Sequence, residues 1–208
     1  VSSSYRLFAN DILVGTLGNT GVSGEYVPEI NKKVNYVENP TGTVELYLEV
    51  ANYDLGAGGP ISQVTIGEYE SVARNSMMRL ILEIAAVAFT LSISFRSIVL
   101  YLLDKSKIAH VSLFALLLMS SLRCLMIGEV PIKYFWSEMP YPLHERLRTF
   151  GFIMGLSFGY KFAKDIASVG VERSYFKVFQ YILFCMGLLI LVTPTWFHTN
   201  VSICAQFV

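Results

Sequence analysis

Few residues of this 208-residue chain stand where they could do chemistry. Glu83, Arg96 and Arg123 interrupt otherwise apolar runs, and an ionisable residue in such a run marks a functional position by default. Glu83 lies about one helical turn inside one end of the first run, and Arg123 about one turn inside one end of the second. Antiparallel neighbours would bring them to the same depth, where they either pair or snorkel to the interface. Arg96, about two turns from the other end of the first run, can reach a lipid phosphate or a polar core between helices. His110, at the start of the second run, reads as interfacial.

A second polar set lies in "ANYDLGAGG". Asn52 and Asp54 offer hydrogen bonds and Tyr53 offers a ring able to stack on a sugar, which makes this turn the best position for ligand contact. The competing account is that Asn52 and Asp54 only satisfy the backbone of their own turn.

No catalytic constellation emerges. His110, His144 and His198 are scattered, and no Ser/His/Asp set shares one depth. "LGNTGVSG" has no lysine for a phosphate loop. Cys124, Cys185 and Cys204 have no metal-ligand spacing and read as packing residues. No metal, cofactor or catalytic residue is expected. "NVS" at Asn200 is a glycosylation acceptor only if the source glycosylates.

The elements that position these residues follow from composition. Hydrophobic residues make up 53% of the chain and charged ones 15%, against about 25% charged in an ordinary soluble domain, and the mean hydropathy is +0.50. The net charge of zero conceals two different parts. Residues 1–75 hold nine acidic and four basic residues, and residues 76–208 hold seven acidic and twelve basic. Neither part has the clustered basic and aromatic residues of a nucleic-acid surface, so no nucleic-acid partner is expected.

Residues 1–76 read as strands and turns. "YRLFANDILVGTLG" is a hairpin about Asn10-Asp11, a pair able to take positive φ. "KVNYVE" and "TVELYLEVA" flank "NPTG", and Val44, Leu46, Leu48 and Val50 alternate with Glu45, Tyr47 and Glu49. "ISQVTIG" is the last strand expected. This spacing predicts an antiparallel sandwich or jelly roll, and five or six strands are too few to close two sheets. Residues 1–76 therefore read as the later part of a larger β domain, with more chain before Val1; a complete small β domain is the alternative.

Residues 77–208 read as a transmembrane bundle. Apolar runs near 80–103, 109–127, 149–163 and 176–192 predict four helices, the first long enough for a hydrocarbon core of about 30 Å. Basic residues set the orientation. Lys105, Lys107, Lys161, Lys164, Arg173 and Lys177 fall in one set of connections, predicted cytoplasmic. Lys133, Arg146 and Arg148 stand beside three glutamates in the other. The β part and the loop around "VPIKYFWSEMPYP" then lie outside, with Trp136 and Trp196 at the outer headgroup level. "EYESVARNSMMR", free of Gly and Pro, predicts a stiff helical lead into the first span.

The third run carries Gly151, Gly155, Gly159 and Ala163 at every fourth position, continued by Ala167. Each interior glycine costs a helix roughly 0.5–1 kcal/mol relative to Ala. In lipid, small residues offset that cost by letting two backbones approach closely. The row packs either inside its own bundle, the preferred reading, or against a second copy in a homodimer.

The order of these parts resembles the bacterial seven-transmembrane receptors with diverse intracellular signalling modules. The residues that carry the resemblance are "YRLFANDILVG", "ELYLEVANYDLGAGG", "VTIGEYESV" before the first span, "SIVLYLLDKSK" closing it and "SSLRCLMIGE" closing the second. The chain departs from the pattern at Asn10-Asp11, where Asn-Gly is usual, at Pro60 after Gly58-Gly59, and in holding four of seven expected helices. The resemblance implies an outer jelly roll related to carbohydrate-binding domains and a location in the bacterial cytoplasmic membrane. It also implies an output domain beyond Val208, a histidine kinase, nucleotide cyclase or phosphatase, so that no enzymatic activity belongs to this chain. A transporter or channel subunit with an outer accessory domain, and a non-signalling envelope anchor, are the alternatives. A transporter predicts broken helices or paired acidic residues near mid-membrane.

Overall fold

The computed structural model describes residues 4–21, 25–37, 42–54, 65–167 and 173–195, with only the backbone described at 167 and 173–176. Residues up to Leu80, with Thr195, pack as one unit, and Ile81–Pro194 pack as another.

The first unit is built on β1 (Ser4–Ala9), β2 (Ile12–Leu17) and β3 (Leu46–Ala51), antiparallel in the order β2-β1-β3. Asn10 and Asp11 make the hairpin turn, with φ of 47° and 65°, the two positive values that a tight two-residue loop needs to match strand twist. The Asn10 side chain also accepts the Glu45 amide at 2.9 Å, while its own amide donates to the Glu45 carbonyl at 3.0 Å. The turn thereby holds the start of β3. Tyr5, Ala9, Leu17 and Ile30 are buried together with Ser4. The sheet has three strands among the described residues. "KVNYVE" is irregular as far as Val37, because its amides join no ladder, and the first four residues of "ISQVTIG" lie outside the described residues. The alternation expected along β3 is weak: Leu46 and Tyr47 are both exposed and Leu48–Ala51 are all half-buried. A jelly roll is not visible in this sheet.

The helices are α1 (Tyr69–Leu103), α2 (Ala109–Met126), α3 (Ile132–Phe135), α4 (Tyr141–Ala167) and α5 (Arg173–Val192). Among the described residues, α1 and α2 are long and apolar enough to cross a membrane; the apolar stretch of α5 is shorter. α1 takes up the expected lead, starting at Tyr69. α4 starts well before the expected Thr149, for a local reason. Pro142 sits in its first turn, where a missing N–H costs nothing, and the Pro140 carbonyl accepts the Leu143 and His144 amides at 3.1 Å each.

Within the second unit, α2 packs antiparallel to both α1 and α4, and α4 antiparallel to α5. Ile153, Leu183 and Ile190 form the α4–α5 core, with Phe150, Phe152 and Met186 against it. Hydroxyls bridge α1 and α2. Thr90 Oγ1 and Ser121 Oγ share a hydrogen bond of 2.7 Å, and Ser94 Oγ donates to the Phe114 carbonyl at 3.0 Å. In an apolar surrounding such groups join helices. Asp104 closes α1 by accepting the Ser106 hydroxyl at 2.6 Å and the Ser106 amide at 3.1 Å. Those bonds, first the hydroxyl, hold its carboxyl below the usual carboxylate range.

Candidate functional site

In the sheet unit, the Asn52-Tyr53-Asp54 turn acquires a partner that the sequence did not suggest. The Tyr26 ring meets the Tyr53 ring edge-on, with centroids 5.1 Å apart at 73°. Tyr53 itself is 56% exposed. The Tyr26 hydroxyl is sealed from solvent without a well-formed hydrogen bond. Burial, and then the nearby Asp54 charge, push its pKa up to about 12, against the weaker pull of the Tyr53 backbone. Burial likewise raises the Asp54 carboxyl above its usual range. Asn52 is half-buried and engaged. The result is an exposed ring backed by a second ring, with a carboxyl beside them: a surface suited to stacking on a flat or apolar ligand face and hydrogen-bonding at its edge. Residues 55–64, including Pro60, lie outside the described residues.

In the helical unit Glu83 and Arg123, read from the sequence as either pairing or snorkelling, do not pair. Glu83 turns to the loop after α2, where its carboxylate accepts the Glu129 amide at 2.8 Å and rests on the Cα of Gly128. Gly128 has φ 71°, and with a Cβ it would overlap that carboxylate. The neighbouring Val130 also has positive φ, 55°, and is buried, a strained arrangement for a β-branched residue. Arg123 lies instead over the Phe152 ring of α4, 4.2 Å from the centroid, a cation–π contact. Arg96 is exposed, and His110 is half-buried.

The glycine row faces α2. A Cβ on Gly151 would sit 3.3 Å from the Met119 carbonyl oxygen and 3.4 Å from the Arg123 nitrogen; Gly155 and Gly159 would meet only side chains, at 3.9 and 3.5 Å. The row opens along its length: Gly151 is buried, Gly155 and Gly159 are half-buried, and Ala163 is exposed. Beyond it, Asp165 accepts the buried Ser112 hydroxyl at 2.7 Å and lies 3.7 Å from Lys161. Asp165 also borders an open groove of about 500 Å³ with Lys107 and His110.

Among the described residues, buried charge gathers at the start of α4, in a stretch that the sequence reads as an outer connection between helices. His144 and Glu145 are each 2% exposed. Arg148 Nη2 is 2.6 Å from Glu145 Oε2, and His144 Nδ1 is 3.5 Å from Glu145 Oε1. Nothing local flags this cluster; only the packing of α4 reveals it. Trp196, His198, Asn200 and Cys204 lie outside the described residues; Trp136 is half exposed, Cys124 half-buried and Cys185 exposed. No family model, no curated protein and no solved structure matches this chain.

Proposed function

We propose that the chain is the sensor and membrane portion of a bacterial signal-transduction receptor. Its sheet unit binds an extracytoplasmic ligand of the carbohydrate class at Tyr53 and Asp54, and its helices relay the event to a cytoplasmic output domain outside this chain. Catalysis is assigned to that domain. The observation that carries the reading is the continuity of α1, which runs unbroken from Tyr69, on the sheet-unit side of the division at Leu80, to Leu103. A continuous helix transmits a shift or rotation that a flexible linker would absorb. The apolar character of α1 and α2 supports lipid as the partner. On this reading α4 and α5 complete four spans in the cytoplasmic membrane, and the basic residues Lys105, Lys107, Lys161, Lys164 and Lys177 favour the cytoplasmic side for that end.

Reporter fusions at the Asn10-Asp11 turn and at Lys105 should fall in opposite compartments; the same compartment for both would overturn the orientation. A Gly/Ser insertion after Arg74 in the full-length protein should abolish ligand-dependent output while membrane insertion persists. An unchanged response would remove the mechanical role of α1.

A further inference from the structure

The cluster at the start of α4 has no part in the ligand turn or in helix continuity. We propose that His144 and Glu145 form a buried proton-binding site, with Arg148 as the competing cation. His144 has both ring nitrogens buried without a hydrogen bond, although a neutral imidazole carries one donor and one acceptor. The nearest charge is Glu145 Oε1, 3.5 Å from Nδ1, and the other oxygen of the same carboxylate is held by Arg148 at 2.6 Å. A proton taken from water onto the imidazole makes both nitrogens donors. The cation then sits beside a carboxylate that a slight ring rotation brings into hydrogen-bond range. Protonation thus sets whether Glu145 is shared between two cations or held by Arg148 alone. Histidine is the side chain whose charge changes most readily between about pH 5 and 8.

Other charged groups stand on the packed elements. On α2, Arg123 is close enough to Arg148 for their charges to repel and is seated on Phe152. In the following loop, Glu129 is buried and its amide is taken by Glu83. On α3, Lys133 Nζ donates to the carbonyls of Ser137 at 2.8 Å and Met139 at 3.3 Å. Arg146, on α4 itself, keeps its Nε buried and unpartnered. On α5, the one charged side chain described, Lys177, lies at the opposite end from this cluster. The arrangement is internal to the helical unit and holds whichever way the bundle is oriented.

The test is a titration of the whole chain in lipid nanodiscs with 13C-labelled histidine, read by NMR between pH 5 and 8. The His144 signal is the one of three that disappears in His144→Gln. It should titrate in the wild type. Glu145→Gln removes the carboxylate beside the ring and should lower the midpoint, the proton being held more weakly. Arg148→Gln should raise it, because the competing cation is gone. If Glu145→Gln fails to fold, as judged by its helical circular dichroism, the rise in Arg148→Gln decides alone. A His144 signal that stays fixed across the range, or a midpoint that neither variant moves in the stated direction, would overturn the site.

Discussion

Gly151 and Met119 set how closely α4 approaches α2. The glycine lies under the Met119 carbonyl, where a Cβ would stand 3.3 Å from the oxygen. That contact is with backbone, which cannot swing aside as a side chain can. Gly151→Ala should therefore separate the helices locally and destabilise the detergent-solubilised chain by about 1–3 kcal/mol, the usual range for overpacking. Gly159→Ala meets only the end of Leu116 at 3.5 Å and should be neutral or stabilising by about 0.4–1 kcal/mol, through the loss of unfolded-state freedom. Unfolding curves of the two variants check the gradient; equal effects would mean that the row is not graded along α4.

The Glu83 carboxylate serves the backbone of the loop after α2. Glu83→Ala should cost about 1–3 kcal/mol, since the Glu129 amide would lose its acceptor. Glu83→Gln keeps an oxygen there and should cost less. Gly128→Ala should exceed Glu83→Gln, because it combines φ 71° with overlap on the carboxylate. The order of the three unfolding midpoints in one detergent is the measurement.

The Thr90–Ser121 hydrogen bond should give a small coupling energy. A double-mutant cycle with alanine and serine-to-alanine replacements is expected to return about 0.6 kcal/mol, the average for such bonds in membrane helices. Thr90 Oγ1 already has the Ala86 and Val87 carbonyls at 2.9 and 3.0 Å, so its hydroxyl keeps an acceptor when Ser121 is removed. A coupling above about 2 kcal/mol, beyond the range seen for such pairs, would show that the bond holds α1 to α2.

The Tyr26 corner predicts a pH effect with a definite sign. The folded protein holds the Tyr26 proton up to about pH 12, against 10.0 for the free phenol. Its contribution is therefore complete below pH 10 and is lost as the pH rises toward 12. Asp54 is also raised when folded, so its proton is bound more tightly in the folded chain and the ionised carboxylate opposes folding at neutral pH. Asp54→Asn should lower the Tyr26 transition, followed by phenolate absorbance with Tyr26→Phe as the reference, and should stabilise the sheet unit at pH 7. A Tyr26 transition that does not move would separate the two groups.

Much of the framework is legible in residue order because its causes are local. Asn10-Asp11 can take positive φ cheaply, so the first hairpin follows from two adjacent residues. Apolar runs dictate α1 and α2, and the absence of Gly and Pro from "EYESVARNSMMR" allows α1 to extend back to Tyr69. Where propensity competes with distant partners, the reading fails. "KVNYVE" has strand composition, yet among its described residues it meets β1 and β2 through side chains, Asn35 on Tyr5 and Lys33 on Thr16, and joins no ladder. The start of α4 was hidden by its charges, although Pro142 in a first turn is the local signal that could have found it.

The sequence by itself determined which segments are apolar, where small residues make a close helix face available, and which side chains carry charge, since these depend on residue type and on neighbours a few positions away. Tertiary structure alone decided the partners. Glu83 meets Gly128 and Glu129 rather than Arg123, Arg123 covers Phe152, Tyr26 backs Tyr53, Ser112 reaches Asp165, and His144 and Glu145 go inside. Each of these joins residues far apart in the chain or depends on how one helix is rotated against the next. A rotation of 100° per residue separates neighbouring positions onto different faces, so the choice of partner rests on the packing of whole elements.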